Sequence, residues 1–218
     1  MFKYLYGKKR FLAGLIEGST GIRLSDLAYY SIMENDLMRD NELEKPFVLD
    51  RNGVSIEVNG MKINPLDMAS NPVLTVMTPR CFCVCFSGKK NDQELFERFN
   101  ADVCIEVNVP QLIKVLEALS ERFEGMTVVS GEVYYYPEIM RSPFPGFEES
   151  LFYKRDVYAV EDEYRVALTI PRHRTHFKSV EGDKVSIFSD DPNDVRHMFV
   201  NGKKPEVNMS YINSVTYR

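Results

Sequence analysis

Tryptophan is missing altogether, and 218 residues contain only three histidines and four cysteines. Each shortage removes something. Two of the histidines sit in Pro171-Arg172-His173-Arg174-Thr175-His176 with no neighbouring carboxylate, a poor start for a zinc site. Cys81, Cys83 and Cys85 recur at every second residue, so on a strand they point one way while Phe82, Val84 and Phe86 fill the other face. Zinc ligation asks for pairs spaced by about two to four residues with a second pair elsewhere, and only Cys104 remains. Small buried thiols in a central strand are the reading, and no metal is expected. Four cysteines without secretory features also suit a reducing cytoplasm.

Other absences narrow the function. No run reaches the roughly 18 apolar residues of a membrane helix. The opening MFKYLYGKKRFLAGLIEG lacks the basic region, apolar run and small-residue cleavage site of a signal peptide. A cytoplasmic protein with no membrane partner is expected. There is no Gly-rich phosphate loop with its lysine, since Gly18-Ser19-Thr20-Gly21-Ile22 has neither the length nor the cation. A dinucleotide fingerprint and a Gly-x-Ser-x-Gly elbow are missing too. With 27 Lys and Arg against 32 Asp and Glu, the net charge of −5 lacks the basic excess of a general nucleic-acid binder. It leaves room for a local basic loop at 171–176, suited to a nucleotide or RNA phosphate.

What is present is a sizeable apolar supply: 44% hydrophobic residues, with 14 Phe and 12 Tyr, enough for a core without staples. No repeat, low-complexity segment or linker divides the chain, which reads as one α+β domain over 1–218. Phe2 to Tyr6 suits a first strand. Lys8 to Glu17 then puts Phe11, Leu12, Leu15 and Ile16 on one helical face, with Gly18 placed to end it. Ile22-Arg23-Leu24-Ser25 alternates as a second strand with Arg23 and Ser25 on its polar face, and Asp26 is set to cap a helix from Leu27 to about Leu37. Asn52-Gly53 and Asn59-Gly60 flank β-rich runs and predict a small three-strand meander inserted at 46–64.

Strands follow at Val73 to Met77 and Cys81 to Ser87, and Asp92 caps a short helix carrying Leu95, Phe96 and Phe99. Asp102 to Asn108 directs Val103, Ile105 and Val107 inward. Pro110 opens the clearest helix, with Leu112, Ile113, Leu116, Leu119 and Phe123 in phase and Gly125 at its end. Met126 to Tyr136 reads as one long strand, 137–146 as a Pro-rich connection, Phe147 to Arg155 as helix-like, and Asn201-Gly202 as a last hairpin signal.

Leu151 to Ile170, LFYKRDVYAVEDEYRVALTI, organises the rest. As a strand its second half places Tyr164, Val166, Leu168 and Ile170 on one face and Glu161, Glu163 and Arg165 on the other. That acidic row has two readings. It is a salted outer face, where ion pairs count for about 0–1 kcal/mol. Or it is part of an active site, with a carboxylate on a rigid strand accepting a substrate hydroxyl and stabilising positive charge.

Several pieces together resemble the bacterial DUF 2971 proteins: Phe2-Lys3-Tyr4, the Ile22 to Ser25 strand, Cys85-Phe86-Ser87, Leu95 to Asn108, Val129 to Pro137, and Phe152 to Arg165 with Lys154, Tyr158 and the Glu-x-Glu-Tyr-Arg ending. The family's Asn-Asp-Pro-Phe-Glu run appears here as Tyr30-Ser31-Ile32-Met33-Glu34, and its tryptophans as Phe96 and Tyr158. More distantly the order is similar to ADP-ribosyltransferases. That likeness implies a mixed, mostly antiparallel sheet with flanking helices and an NAD cleft. Lys3 or Tyr4, Ser25 or Ser87, and late Glu163 would line the cleft, with Arg23 on the pyrophosphate. Glu163 would bind the nicotinamide-ribose hydroxyl and stabilise an oxocarbenium-like transition state, and Glu161 would face the acceptor, a protein or RNA. The resemblance thus implies an NAD-dependent glycosyltransferase of the ADP-ribosyltransferase type, or an NAD-cleaving enzyme, acting in bacterial or phage conflict. The alternative is a non-catalytic nucleotide- or protein-binding module, for which Tyr134, Tyr135 and Tyr136 offer an aromatic surface.

Overall fold

The computed structural model describes the whole chain except Glu34, Met38, Arg122, Ser142, Pro143, Asp190, Pro192 and the side chain of Leu119. Its centre is an eight-stranded sheet whose pairs are all antiparallel. The strands are β1 (Phe2–Gly7), β2 (Arg23–Asp26), β3 (Cys81–Ser87), β4 (Val103–Asn108), β5 (Thr127–Glu132), β6 (Glu163–Thr169), β7 (His197–Phe199) and β8 (Ile212–Tyr217). With its few helices and two small parallel pairs outside this sheet, the fold is mixed α+β with mostly antiparallel pairing, as expected.

β3 is the pivot. One edge pairs with β6 along its whole length, from Glu163 opposite Ser87 to Thr169 opposite Cys81, and β6 continues to β5. The other edge is shared. β2 holds Phe82 and Cys83, β1 holds Ser87, and Val84, Cys85 and Phe86 have no strand partner there among the described residues. From this point β2 turns towards β7, while β1 runs off with β4 and β8. The sheet therefore splits into two arms, with a wedge between them.

One face carries the main core. Phe82, Val84 and Phe86 of β3, Val103, Ile105 and Val107 of β4, and Val166 and Leu168 of β6 meet Leu112 and Leu116 of the helix Val109–Ser120. That helix stops before Gly125, which adopts the left-handed φ of +75° five residues past the last helical turn. The opposite face carries a smaller apolar cluster: Cys81, Cys83, Ala167, Leu27 and Leu151 pack beneath short 3-10 turns. The thiols are free, and Cys85 is the least buried of the four.

Several expectations need correcting. Asp26 does cap Ala28, but the segment after it is a 3-10 turn, Leu27–Ile32, and not a long helix; Glu34 lies outside the described residues. The 46–64 region is not a three-strand meander. Glu44–Leu49 pairs with Val73–Met77, and Ile56–Val58 with Met61–Ile63 forms a separate hairpin. Only Asn59-Gly60, both at positive φ, makes the hairpin turn its sequence promised. The strand from Met126 breaks at Val133, and Tyr134–Tyr136 leaves to pair in parallel with Tyr153–Arg155. Phe147 to Arg155 is a 3-10 turn and then that strand. Asn201-Gly202 leads into the helix Pro205–Met209, with the Gly202 N–H donating to Asn208 Oδ1 at 2.6 Å.

Candidate functional site

Where the arms diverge lies a cavity of about 250 Å³. Its walls are Tyr4 and Tyr6 from β1, Arg23 and Ser25 from β2, Val84 to Ser87 from β3, and Phe11 and Leu15 from the first helix, Lys9–Ile16. Tyr29, Tyr30, Met33, Phe99 and Phe199 close it further. Lys154, Glu161 and Glu163 form a charged corner.

Of the residues singled out in the sequence, Tyr4, Arg23, Ser25, Ser87, Glu161 and Glu163 all line this cavity. Lys3 does not. Neighbours on a strand point to opposite faces, and Lys3 takes the core face, 3.3 Å from Glu132 and over the Tyr164 ring at 5.1 Å. Of the first-strand alternatives, Tyr4 is the cavity residue. Its hydroxyl donates to Glu106 at 3.3 Å, and burial together with that carboxylate raises its pKa.

The acidic row is not a salted outer face. Glu163 is 5% exposed and Arg165 1%. Nor do the three residues share one strand face, because Glu161 ends the 3-10 turn Asp156–Glu161 and only Glu163 and Arg165 belong to β6. Asp162 between them adopts a left-handed conformation, φ 45°, which aspartate tolerates better than most side chains. The Gly88 N–H fixes that kink by donating to the Asp162 carbonyl at 2.7 Å. A Cβ on Gly88 would stand 2.1 Å from Asp162 Oδ2. The kink turns both glutamates onto one ammonium: Lys154 Nζ donates to Glu161 at 2.7 Å and to Glu163 at 3.0 Å.

Around that ammonium the charges balance. Arg165 Nε donates to the other Glu163 oxygen at 2.5 Å, and its terminal nitrogens grip Glu42 at 2.8 and 2.5 Å. Lys45 also pairs with Glu42. Glu42, Glu161 and Glu163 thus face Lys45, Lys154 and Arg165, three against three and all buried. Arg98 joins at the rim, its Nε 3.0 Å from Glu161. Burial alone would raise the Glu163 carboxyl, but the Arg165 and Lys154 cations outweigh it and hold it well below the usual range. Glu42 is lowered to about 2 against the same burial, chiefly by Arg165. At Glu161 burial wins over Lys154 and its pKa rises. Two glutamates two residues apart are therefore driven in opposite directions, a pattern that separates an ionised stabiliser from a proton-exchanging group.

The opposite wall is cationic and open. Arg23 is exposed; its Nε reaches Ser25 Oγ at 3.3 Å, its guanidinium lies over Tyr29 at 5.4 Å, and it meets no carboxylate among the described residues. Deep in the cavity Tyr30 Oη is 3.1 Å from Cys85 Sγ.

Glu42, Arg98 and Tyr30 escaped sequence reasoning. Glu42 sits in a turn without periodicity, and its only advertisement is a lysine three residues on. The triple tyrosine divides: Tyr134 is exposed, Tyr136 is buried, and the Tyr135 hydroxyl accepts the Glu163 N–H at 2.8 Å. His176 opens the strand His176–Lys178 and His173 lies in the turn before it, and no group of three metal-ligating side chains occurs among the described residues. No described helix is long and apolar enough to cross a membrane. Comparison with protein-family models, with curated proteins and with solved structures finds no match for this chain.

Proposed function

We propose that the chain binds NAD at the split of the sheet and transfers, or releases to water, its ADP-ribosyl group. One observation carries this reading: Glu163, held ionised by Arg165 and Lys154, faces a cavity whose other wall presents two hydroxyls, Ser25 and Ser87, and an exposed arginine, Arg23, that meets no carboxylate among the described residues. Glu163 accepts the ribose hydroxyl and stabilises positive charge as the bond from ribose C1′ to the nicotinamide nitrogen breaks, its electron pair leaving with nicotinamide. An acceptor on a protein or RNA, or water, forms the new bond to C1′ and gives its proton to Glu161, whose raised pKa suits that task. Arg23 holds the pyrophosphate.

Labelled NAD incubated with the protein and a cell lysate tests this. Free nicotinamide or transferred label is expected, with Arg23→Ala raising KM and Glu163→Asp, which keeps the charge, lowering kcat. No turnover and no NAD-induced shift in melting would refute it.

A second reading has its own support. The two glutamates are matched by cations, which weakens the field they present to a cationic centre. In a non-catalytic nucleotide sensor the same cavity binds NAD and leaves it intact. Binding without nicotinamide release, at protein concentrations approaching that of NAD, decides for the sensor.

A further inference from the structure

The cavity is too small for a whole dinucleotide. About 250 Å³ falls below the range usual for a ligand pocket, roughly 300–1,000 Å³. Half of any NAD bound with its nicotinamide ribose against Glu163 must lie at the mouth, and the mouth has unusual furniture. Phe11 was expected on the buried face of its helix, beside Leu12 and Leu15; it is instead 71% exposed and lines the cavity. Arg10, outside the lining, sets its guanidinium over the Phe11 ring at 4.6 Å and meets no carboxylate among the described residues. Phe199, 44% exposed, lines the same cavity. Two exposed aromatic rings and Arg23 thus line one cavity, with Arg10 behind Phe11, and neither arginine meets a carboxylate among the described residues.

Flat apolar rings beside unneutralised guanidinium groups are the surface that a purine nucleotide satisfies, base on ring and phosphate on cation. We infer that Phe11, backed by Arg10, is a stacking platform for the adenine of an adenosine nucleotide at the cavity mouth. This rests on the nucleotide reading above and adds to it the half of the ligand that the cavity does not enclose. An apolar peptide is less suited to this entrance, because both arginines would be covered without a counter-charge.

The absence of tryptophan supplies a clean assay. In the full chain, Phe11→Trp introduces a single indole reporter, and Phe11→Ala removes the platform. Since the ring is exposed, both variants should melt with the wild type. AMP and ADP-ribose are expected to quench the F11W fluorescence, while nicotinamide mononucleotide leaves it unchanged. By titration calorimetry, F11A should weaken AMP and ADP-ribose about tenfold or more, the usual loss on removing a stacking ring, and leave nicotinamide mononucleotide binding as it was. Phe11→Tyr should restore AMP affinity. Equal AMP binding by wild type and F11A would overturn the platform with the cavity reading intact. If nicotinamide mononucleotide binds and AMP does not, the platform again fails alone. If neither binds the wild type, both readings fall.

Discussion

Glu163→Gln is a small change in shape and a large one in energy. The carboxylate is buried and takes Arg165 Nε on one oxygen and Lys154 Nζ on the other. Glutamine removes the charge and turns an amide donor towards one of those donors. Removing one partner of a buried ion pair costs about 3–5 kcal/mol. Here Arg165 keeps its two-pronged grip on Glu42, and Lys154 keeps Glu161 at 2.7 Å, so the lower end, about 3 kcal/mol, is expected. At about 2–4 °C per kcal/mol for a chain of this size, the melting temperature should fall by roughly 6–12 °C. Thermal unfolding followed by circular dichroism measures it. Glu163→Gln combined with Lys154→Met restores the charge balance and should recover about half of the loss or more. A single variant melting within about 2 °C of wild type, or a double variant no better than the single, would refute the neutral-network account. Activity assays on E163Q therefore have to be run well below its own melting temperature.

Acid should unfold the protein through the same residues. The Glu42 carboxyl, lowered to about 2 against its burial, and that of Glu163, lowered further, contribute stability that is complete above the ordinary glutamate value near 4.5 and lost as pH falls towards 2. Glu161, raised by burial, acts in the opposite sense, its contribution being lost as pH rises through its folded value. Melting temperature should thus drop steeply from about pH 5 to 2, and a flat profile contradicts the ion-pair assignments; Glu42→Gln should flatten it. Thiols should be inert: hydrogen bonding with neighbouring cysteines and burial push Cys83 and Cys85 well up, and burial raises Cys104, so Ellman's reagent should label them slowly at pH 8 and quickly in guanidinium. Gly21→Ala would set a methyl 1.7 Å from the Val200 carbonyl oxygen, and backbone cannot yield as a side chain can, so a loss of about 1–3 kcal/mol in a urea titration is expected.

The central strands were legible because their apolar residues alternate against a fixed partner. β4 reads Val103, Ile105, Val107, and all three are fully buried; β3 alternates thiols with Phe82, Val84 and Phe86, and the structure keeps Cys81 and Cys83 apart from those three. Glu161 and Glu163 could be marked from their spacing, but not their convergence, which depends on a left-handed Asp162 that no periodicity announces. Long-range partners were hidden for the same reason: Glu42 meets Arg165 across 123 residues, and nothing local to either names the other. Phe11 misled because a helical stripe fixes which residues share a side and leaves open how far the neighbouring arm reaches over it. The Asn52-Gly53 turn failed as a hairpin because Glu44–Leu49 found its antiparallel partner at Val73–Met77, beyond the insertion.

Whether the buried charges serve chemistry or only hold the fold can be decided by removing a balanced pair. A carboxylate offers about four acceptor positions, and Glu163 takes Arg165 on one oxygen and Lys154 on the other, so acceptor positions are left over for a substrate hydroxyl. Lys154→Met with Glu161→Leu deletes one cation and one anion and leaves Glu42 and Glu163 against Lys45 and Arg165. Arg98 loses its carboxylate but stands at the rim, where water can solvate it. Apolar replacement of a buried ion pair is commonly neutral or stabilising by about 1–4 kcal/mol, so the double variant should fold and melt at or above wild type. If the charges are only structural, NAD turnover survives the exchange. If Glu161 takes the acceptor's proton and Lys154 aligns both glutamates, turnover is lost from a protein that is no less stable, and unchanged turnover would remove both residues from the mechanism.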